Sequence, residues 1–378
     1  MMNVYLDNAA TTPIAEEVLQ VMIPALRNEF GNPSSTHQYG RKAKGAVEGA
    51  RKSIAERIHA RPSSIVFTSG GTEADNMAIH TAITSLQVKT IITSPIEHHA
   101  VLHSVENVRD HQNIKVKMVQ LDSKGNVDLQ HLNTLLEASN QRTLVSLMHA
   151  NNEIGTLLPL DDVSKICREH GAYFHSDTVQ TMGHYPFNLT ALDIDFITCS
   201  AHKLHGPKGV GFLYVNPAIP SVPFIQGGAQ ERGLRGGTEN LYGIVGLNKA
   251  LELAYNAMEK HQTHIQGLKT YMIEQLRSAF PDIAFHGEIA PENSLYTILN
   301  VSFPPSDQSS MLLFSLDLKG IACSGGSACS SGSNQGSHVL GGIHADSERP
   351  NARFSFSRYT TKQEVDYTLK VLKEAYGG

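Results

Sequence analysis

Cysteine is scarce in this chain: four residues (Cys167, Cys199, Cys323 and Cys329), none in a C-x-x-C pair. That is too few for a disulfide framework, and it leaves no zinc or dithiol signature. Long hydrophobic runs are missing too. None approaches the roughly 18 apolar residues that a membrane span needs, so no membrane contact is expected. The opening Met1-Met-Asn-Val-Tyr-Leu-Asp7 lacks the basic and apolar regions of a signal peptide, and a cytoplasmic location is the expectation. A basic surplus is also absent, with 31 Lys and Arg against 36 Asp and Glu and a net charge of −5. Phosphate contacts need clustered Lys and Arg, so direct nucleic-acid binding is not expected.

What remains is a chain of 378 residues, 40% hydrophobic and 18% charged, which suits a soluble globular protein of about two domains. Apolar Ala43, Val47, Ala50, Ile54 and Ile58 recur at steps of three and four, predicting an amphipathic helix over residues 40–60. Another helix is predicted over Glu16 to Phe30. Short apolar strands follow at Ile65 to Thr68, Thr90 to Thr93, Val116 to Leu121, Leu144 to Met148, Tyr173 to His175 and Phe196 to Cys199, separated by helix-length segments. That alternation predicts βαβ units and an α/β fold with a mostly parallel sheet sandwiched by helices. A further β-rich run, Val210 to Val215, comes soon after.

From Asn240 to Phe280 the pattern is mostly helical. Beyond it a smaller α+β domain is expected, with strands at Thr297 to Ser302 and Arg353 to Ser357 and helices near Ser309 to Lys319 and Thr361 to Tyr376. The expected division is a large domain over 15–260 and a small one built from 1–14 and 261–378. A Ser/Gly-rich stretch at about 323–337 has too few apolar side chains to pack down, so a mobile loop is expected there.

Ligands of parallel α/β sheets bind outside the carboxyl ends of the strands, so the residues at those ends are the ones to weigh. Ser69-Gly70-Gly71-Thr72-Glu73 opens a helix, whose free N–H groups and dipole suit one phosphate, although the run matches neither the Walker nor the G-x-G-x-x-G pattern. An ordinary turn with Thr72 as N-cap fits as well. His98 is a candidate plate over a flat ring, or a surface histidine. Asn151 and Asn152 are amides at a strand end, or turn residues. Asp177 is a carboxylate at the end of a buried strand, or a helix N-cap. Lys203 follows the strand Phe196 to Cys199; a lysine desolvated there becomes a carbonyl nucleophile able to form a Schiff base. Lys203 and Lys208 also fit as plain loop lysines.

Taken together, these strand ends describe a pocket for pyridoxal 5′-phosphate (PLP). Lys203 would hold the aldehyde and Asp177 would keep the ring nitrogen protonated. His98 would cover the ring and Gln180 would bond its phenolic oxygen. Gly71, Thr72, Ser200 and His202 would hold the phosphate.

The motifs carrying these residues resemble a known family. They include Tyr5-Leu-Asp-Asn-Ala-Ala-Thr-Thr-Pro13, Phe67-Thr-Ser-Gly-Gly-Thr-Glu73, Met148-His-Ala-Asn-Asn-Glu-Ile-Gly155, Ser200-Ala-His-Lys203, Gln230-Glu-Arg-Gly233, Arg235-Gly-Gly-Thr238 and Gly326-Ser-Ala-Cys329. The chain resembles the cysteine desulfurases of the iron–sulfur-cluster and nitrogen-fixation type, within the class V aminotransferase group of fold type I PLP-dependent transferases. The resemblance implies a homodimer in which Thr238 reaches the neighbouring subunit's PLP phosphate. It also implies Arg353 on the carboxylate of L-cysteine, Asn152 on cofactor or substrate, and Cys329 as the sulfur acceptor. The catalytic set would be Lys203, Cys329 and His98, with no metal. A persulfide on Cys329 would pass to an acceptor protein such as a cluster scaffold or a thiolation carrier. The alternatives are selenocysteine lyase, another class V aminotransferase, or a PLP-fold scaffold without turnover. Cys323 departs from the family pattern; a second thiol there would trap a persulfide or form a disulfide on oxidation.

Overall fold

Short buried runs cannot bury themselves, and here they assemble into one wide sheet covered by the helices that connect them. The computed structural model describes residues 2–220, 222–306, 311–325 and 336–376, the side chain of Tyr376 excepted. The chain opens with β1 (Val4–Tyr5), α1 (Glu16–Asn28) and α2 (Gln38–Arg57). Then come β2 (Ile65–Thr68), α3 (Gly71–Thr84), β3 (Thr90–Thr93), α4 (His99–Gln112), β4 (Lys115–Met118), α5 (Leu129–Glu137), β5 (Thr143–Ser146), α6 (Leu160–Glu169) and β6 (Tyr173–Asp177). Next are β7 (Phe196–Ser200), β8 (Gly211–Val215), α7 (Leu241–Asn256) and α8 (Met258–Ala279). The last elements are β9 (Ala284–His286), β10 (Ile298–Ser302), α9 (Leu312–Leu318), β11 (Ile321–Ala322), α10 (His338–Gly342), β12 (Asn351–Ser355) and α11 (Lys362–Tyr376).

The main sheet runs β2-β8-β7-β6-β5-β3-β4. From β7 to β4 every pairing is parallel, as the alternating pattern predicts; β8 alone is antiparallel, to both β2 and β7. The reason is length. Ten residues separate β7 from β8, too few for a helical crossover, whereas an antiparallel neighbour can be reached by a tight connection. That turn contains Lys203.

Among the described residues, two of the apolar cores matter most for the site. One lies around the main sheet, with Ala43, Val47, Ala50 and Ile54 of α2 facing it at the spacing the sequence shows. The other gathers Leu268, Met272, Leu299, Val301, Phe354 and Leu372 beneath the sheet β12-β10-β9. Val4 and Leu6 join this second core, because β1 pairs with β11 in parallel (Val4↔Ile321).

Some boundaries differ from expectation. The helical stretch after Asn240 is two helices that meet at Ala257, and the predicted strand ending at Met148 leaves the ladder after Ser146. β1, β9 and β11 are only two or three residues long, and periodicity needs more residues than that to register.

Candidate active site

Every residue expected to bind PLP or the substrate, except Thr238, lines one cleft, with an empty volume of about 800 Å³. It lies at the carboxyl ends of β2, β5, β6 and β7, and Arg353 reaches it from the second core.

The cradle forms where β2 gives way to α3. Gly70, not Thr72, is the N-cap, with φ at +152°, a conformation that favours glycine. Gly71 follows, and a Cβ there would stand 2.7 Å from Val179 Cγ2. Gly71 and Thr72 of the first turn of α3 face the cleft beside Ser200. Such an N-terminus, fourteen residues of helix behind it, favours an anion.

Lys203 ends a short 3-10 turn, Ala201–Lys203, directly after β7. Its Nζ donates to the carbonyls of Ala9 and Ala10, the latter at 2.9 Å. The N-terminal Ala-Ala-Thr-Thr run holds this turn in place: Thr12 Oγ1 donates to the His202 carbonyl (2.9 Å) and accepts from His205 N (2.8 Å). His202 Nδ1 lies 3.1 Å from Thr11 Oγ1. Burial, then Lys203 and Lys208, pushes His202 down to about 4, so the ring is neutral at pH 7. Lys208, by contrast, is exposed and fits the plain loop role.

Asp177 is buried at the end of β6 and accepts Val179 N at 2.8 Å. Burial, reinforced by the charge of Asp75, pushes it up to about 7. A cation in the cleft would recover the anionic form. Asp75 is a residue the sequence reading missed. It lines the same cleft, is buried, and is likewise pushed up to about 7 by burial. The signal was an acid set among apolar Ala74, Met77, Ala78 and Ile79 on α3, where a solvated side chain has no room.

His98 caps α4, its Nδ1 accepting Ala100 N at 3.1 Å. Burial first, and Lys203 second, pushes it down to about 4, leaving a neutral ring on the cleft wall. The preceding Glu97 is buried, accepting Met148 N (2.9 Å) and Ser94 Oγ (3.0 Å), and burial pushes it up to about 8.

The two asparagines divide the roles that sequence left open. Asn151 makes the turn: its Oδ1 accepts Glu153 N (2.9 Å) and Ile154 N (3.0 Å), and its Nδ2 donates to the Ile96 carbonyl. Asn152 lines the cleft, with a buried Oδ1 that has no partner. Gln180 donates Nε2 to the Ala9 carbonyl at 3.0 Å. Arg353 is 1% exposed. It donates to the Asn152 carbonyl (2.7 Å) and to Asp7 Oδ1 (3.0 Å), while its buried Nε has no partner.

Thr238 lies elsewhere, in a separate pocket with Arg235 and Glu239. Cys329 falls outside the described residues, as does most of the stretch expected to be a mobile loop. Cys323 packs against the second core, and burial, with Asp7, pushes its thiol up to about 12. It keeps its proton at neutral pH and is a poor nucleophile. Among the described residues no group of His, Cys, Asp or Glu is arranged to hold a metal ion, and no helix is long and apolar enough to cross a membrane.

Comparison with known proteins agrees with this geometry. The class V aminotransferase family model matches residues 4–368. The cysteine desulfurase IscS of Dictyoglomus turgidum is 44% identical over 377 residues, covering 98% of this chain and 93% of that protein. IscS of Methanosarcina thermophila is 41% identical over 375 residues, covering 98% and 91%. A solved NifS-like protein superposes with a TM-score of 0.90 at 38% identity, covering 99% of each chain. A structure of SspA in complex with cysteine gives a TM-score of 0.80 at 33% identity, over 95% of this chain and 100% of that one. With its cleft at the strand ends and these likenesses along nearly its whole length, the chain belongs to the class V aminotransferase family and, within it, to the cysteine desulfurases.

Proposed function

We propose that this chain converts L-cysteine to L-alanine with PLP bound in the cleft, passing the sulfur to Cys329. One observation carries the proposal: an amine (Lys203), a buried acid (Asp177) and a helix N-terminus (Gly71 and Thr72) line the same cleft as a buried arginine with an unpartnered Nε (Arg353). That donor set fits PLP. Gly71 and Thr72 at the start of α3 face the cleft beside Ser200, where a phosphate would meet the helix N-terminus, and the orphaned Asn152 Oδ1 and Arg353 Nε await polar partners. Gly71, Thr72, Ser200 and His202 would hold the phosphate, Asp177 the ring nitrogen, Gln180 the phenolic oxygen and His98 the ring face. Bound PLP supplies an aldehyde for covalent capture and a ring that takes up electrons from the substrate's Cα.

The chain's own residues do the rest. Arg353 would orient the substrate carboxylate, for which a guanidinium fork is well shaped. Lys203 would anchor the cofactor covalently and, once displaced by substrate, carry the Cα proton at Nζ. The Cys329 thiolate would attack the substrate sulfur; an S–S bond forms as the Cβ–S bond breaks, leaving a persulfide on Cys329 and releasing alanine. The finer reading is a cytoplasmic homodimer in which Thr238 serves the partner's site. Its large domain would span 15–260, its small domain would comprise 1–14 and 261–378, and a scaffold or carrier protein would accept the sulfur.

The deciding measurement is alanine and sulfide released from L-cysteine under reductant. Cys329→Ala should abolish both while Lys203 still binds PLP. Alanine production that survives the substitution would point to ordinary transamination instead.

A further inference from the structure

Residues 225–238 lie outside the main sheet, yet two ion pairs tie them down on either side of the anion cradle. Glu231 is buried and takes both arms of the Arg51 fork (Nη1 to Oε2 2.7 Å, Nη2 to Oε1 2.8 Å). Its Oε2 also accepts Phe67 N at 2.9 Å, and Arg51 lies over the Phe67 ring, 4.6 Å from its centroid. The second tie is Arg235, which donates Nε (2.8 Å) and Nη2 (3.2 Å) to Glu73; Glu73 in turn accepts Ser69 N at 2.9 Å. One loop thus grips β2, which enters the cradle, and α3, which leaves it.

The backbone of that loop is strained. Glu231 (φ +46°) and Arg232 (φ +58°) are consecutive non-glycine residues in the left-handed region. Side-chain-bearing residues hold that conformation only where their surroundings over-determine it. Here the surroundings are identifiable: the Arg51 fork and Phe67 N on Glu231, and the bonds from Arg232 Nη2 to the Ser63 (2.9 Å) and Ile65 (2.7 Å) carbonyls. Neither Arg51 nor Glu231 lines the cleft, so the chemistry does not use them directly. A buried ion pair seldom improves stability over an apolar pair of similar shape; its gain is a defined geometry.

We propose that Arg51 and Glu231 are positioning residues for the anion cradle: by holding residue 231 left-handed they keep the loop clamped on the 69–72 turn, and so set how long a phosphate monoester stays bound there. The inference rests on the PLP reading of the cleft.

The test compares two double variants that leave no buried charge unpaired, Arg51→Met with Glu231→Ala and Arg51→Met with Glu231→Gly. PLP release from the holoenzyme is followed by loss of visible absorbance on dilution into a PLP-scavenging apoenzyme, alongside Tm and kcat at saturating PLP. The alanine variant should release PLP about tenfold faster than wild type, because alanine leaves the left-handed region once unanchored. The glycine variant should stay within about threefold, because glycine needs no anchor there. Both should keep kcat within about threefold. A purely structural pair would lower Tm in both and leave release unchanged; that result, or equal release from both, overturns the proposal. If the double variants do not fold, Arg235→Gln cuts the more exposed tie and must speed release several-fold by itself; unchanged release there overturns the proposal as well. A wild-type protein that never takes up PLP would instead sink the cofactor reading.

Discussion

Two lysines of this chain make an instructive pair, because one lines the cleft and the other is sealed in a core. Lys203 sits at the end of β7, half-buried, at the wall of an open cleft. Lys269 sits on α8 with 0% exposure, donating to Ser294 Oγ (2.6 Å) and the Leu295 carbonyl (3.0 Å). Burial pushes Lys269 down to about 7, so it is half neutral near pH 7. A lowered pKa therefore does not make a catalytic lysine: the amine must also face a space that a substrate can enter. Lys269 instead pins the turn before β10, with Leu268 and Met272 packed beside it in the second core.

Exchanging the amines one at a time gives the largest effect. Lys203→Ala should cut alanine production on the order of a thousandfold, as expected when a proton-transferring group is lost. Lys269→Met should stay within about threefold. A reversal would place the chemistry in the wrong core.

The pH dependence of stability sharpens the contrast. The folded-state pKa of Lys269 lies below its ordinary value of 10.5, so between about 7 and 10.5 the unfolded chain binds more protons than the native one. This group's contribution to stability should then rise with pH by up to about 1.4 kcal/mol per unit across that window, and its penalty is fully present below pH 7. Lys269→Met should flatten the rise, read as urea unfolding at pH 6, 8 and 9.5. A wild-type slope retained in the variant would show that another group is responsible.

The smallest effect separates two thiols in the same way. Cys323 is packed and protonated, so Cys323→Ser should leave sulfide production within about twofold of wild type, and iodoacetamide should label Cys323 slowly in the native protein. Rapid labelling would mean that the thiol is not enclosed.

Much of this was legible from local pattern. β2 and β3 lie where the apolar runs put them, and the spacing Ala43, Val47, Ala50, Ile54 does become the inward face of α2. Lys203, Asp177, His98 and Gly71 were visible only as a set: each stands at or past the end of a buried strand, where a loop or capping role would account for any one of them alone. Less legible was the choice between neighbours. Asn151 and Asn152 have the same side chain, and only the path of the turn sends one inward to Ile96 and the other to the cleft. Asp75 and Lys269 escaped because a charge on a helix reads as solvated unless the packing around it is known.

The sequence by itself determined the order of strands and helices and the residues at the strand ends, because both depend on contacts between residues near one another in the chain. Tertiary structure alone decided that Arg353 would meet Asp7 across 346 positions, that Arg51 would lock Glu231 across 180, and that the first strand would lie beside β11. No periodicity encodes such pairs. Each partner's position is set by the packing of whole layers, and the charge of one residue says nothing of which distant charge will be folded against it.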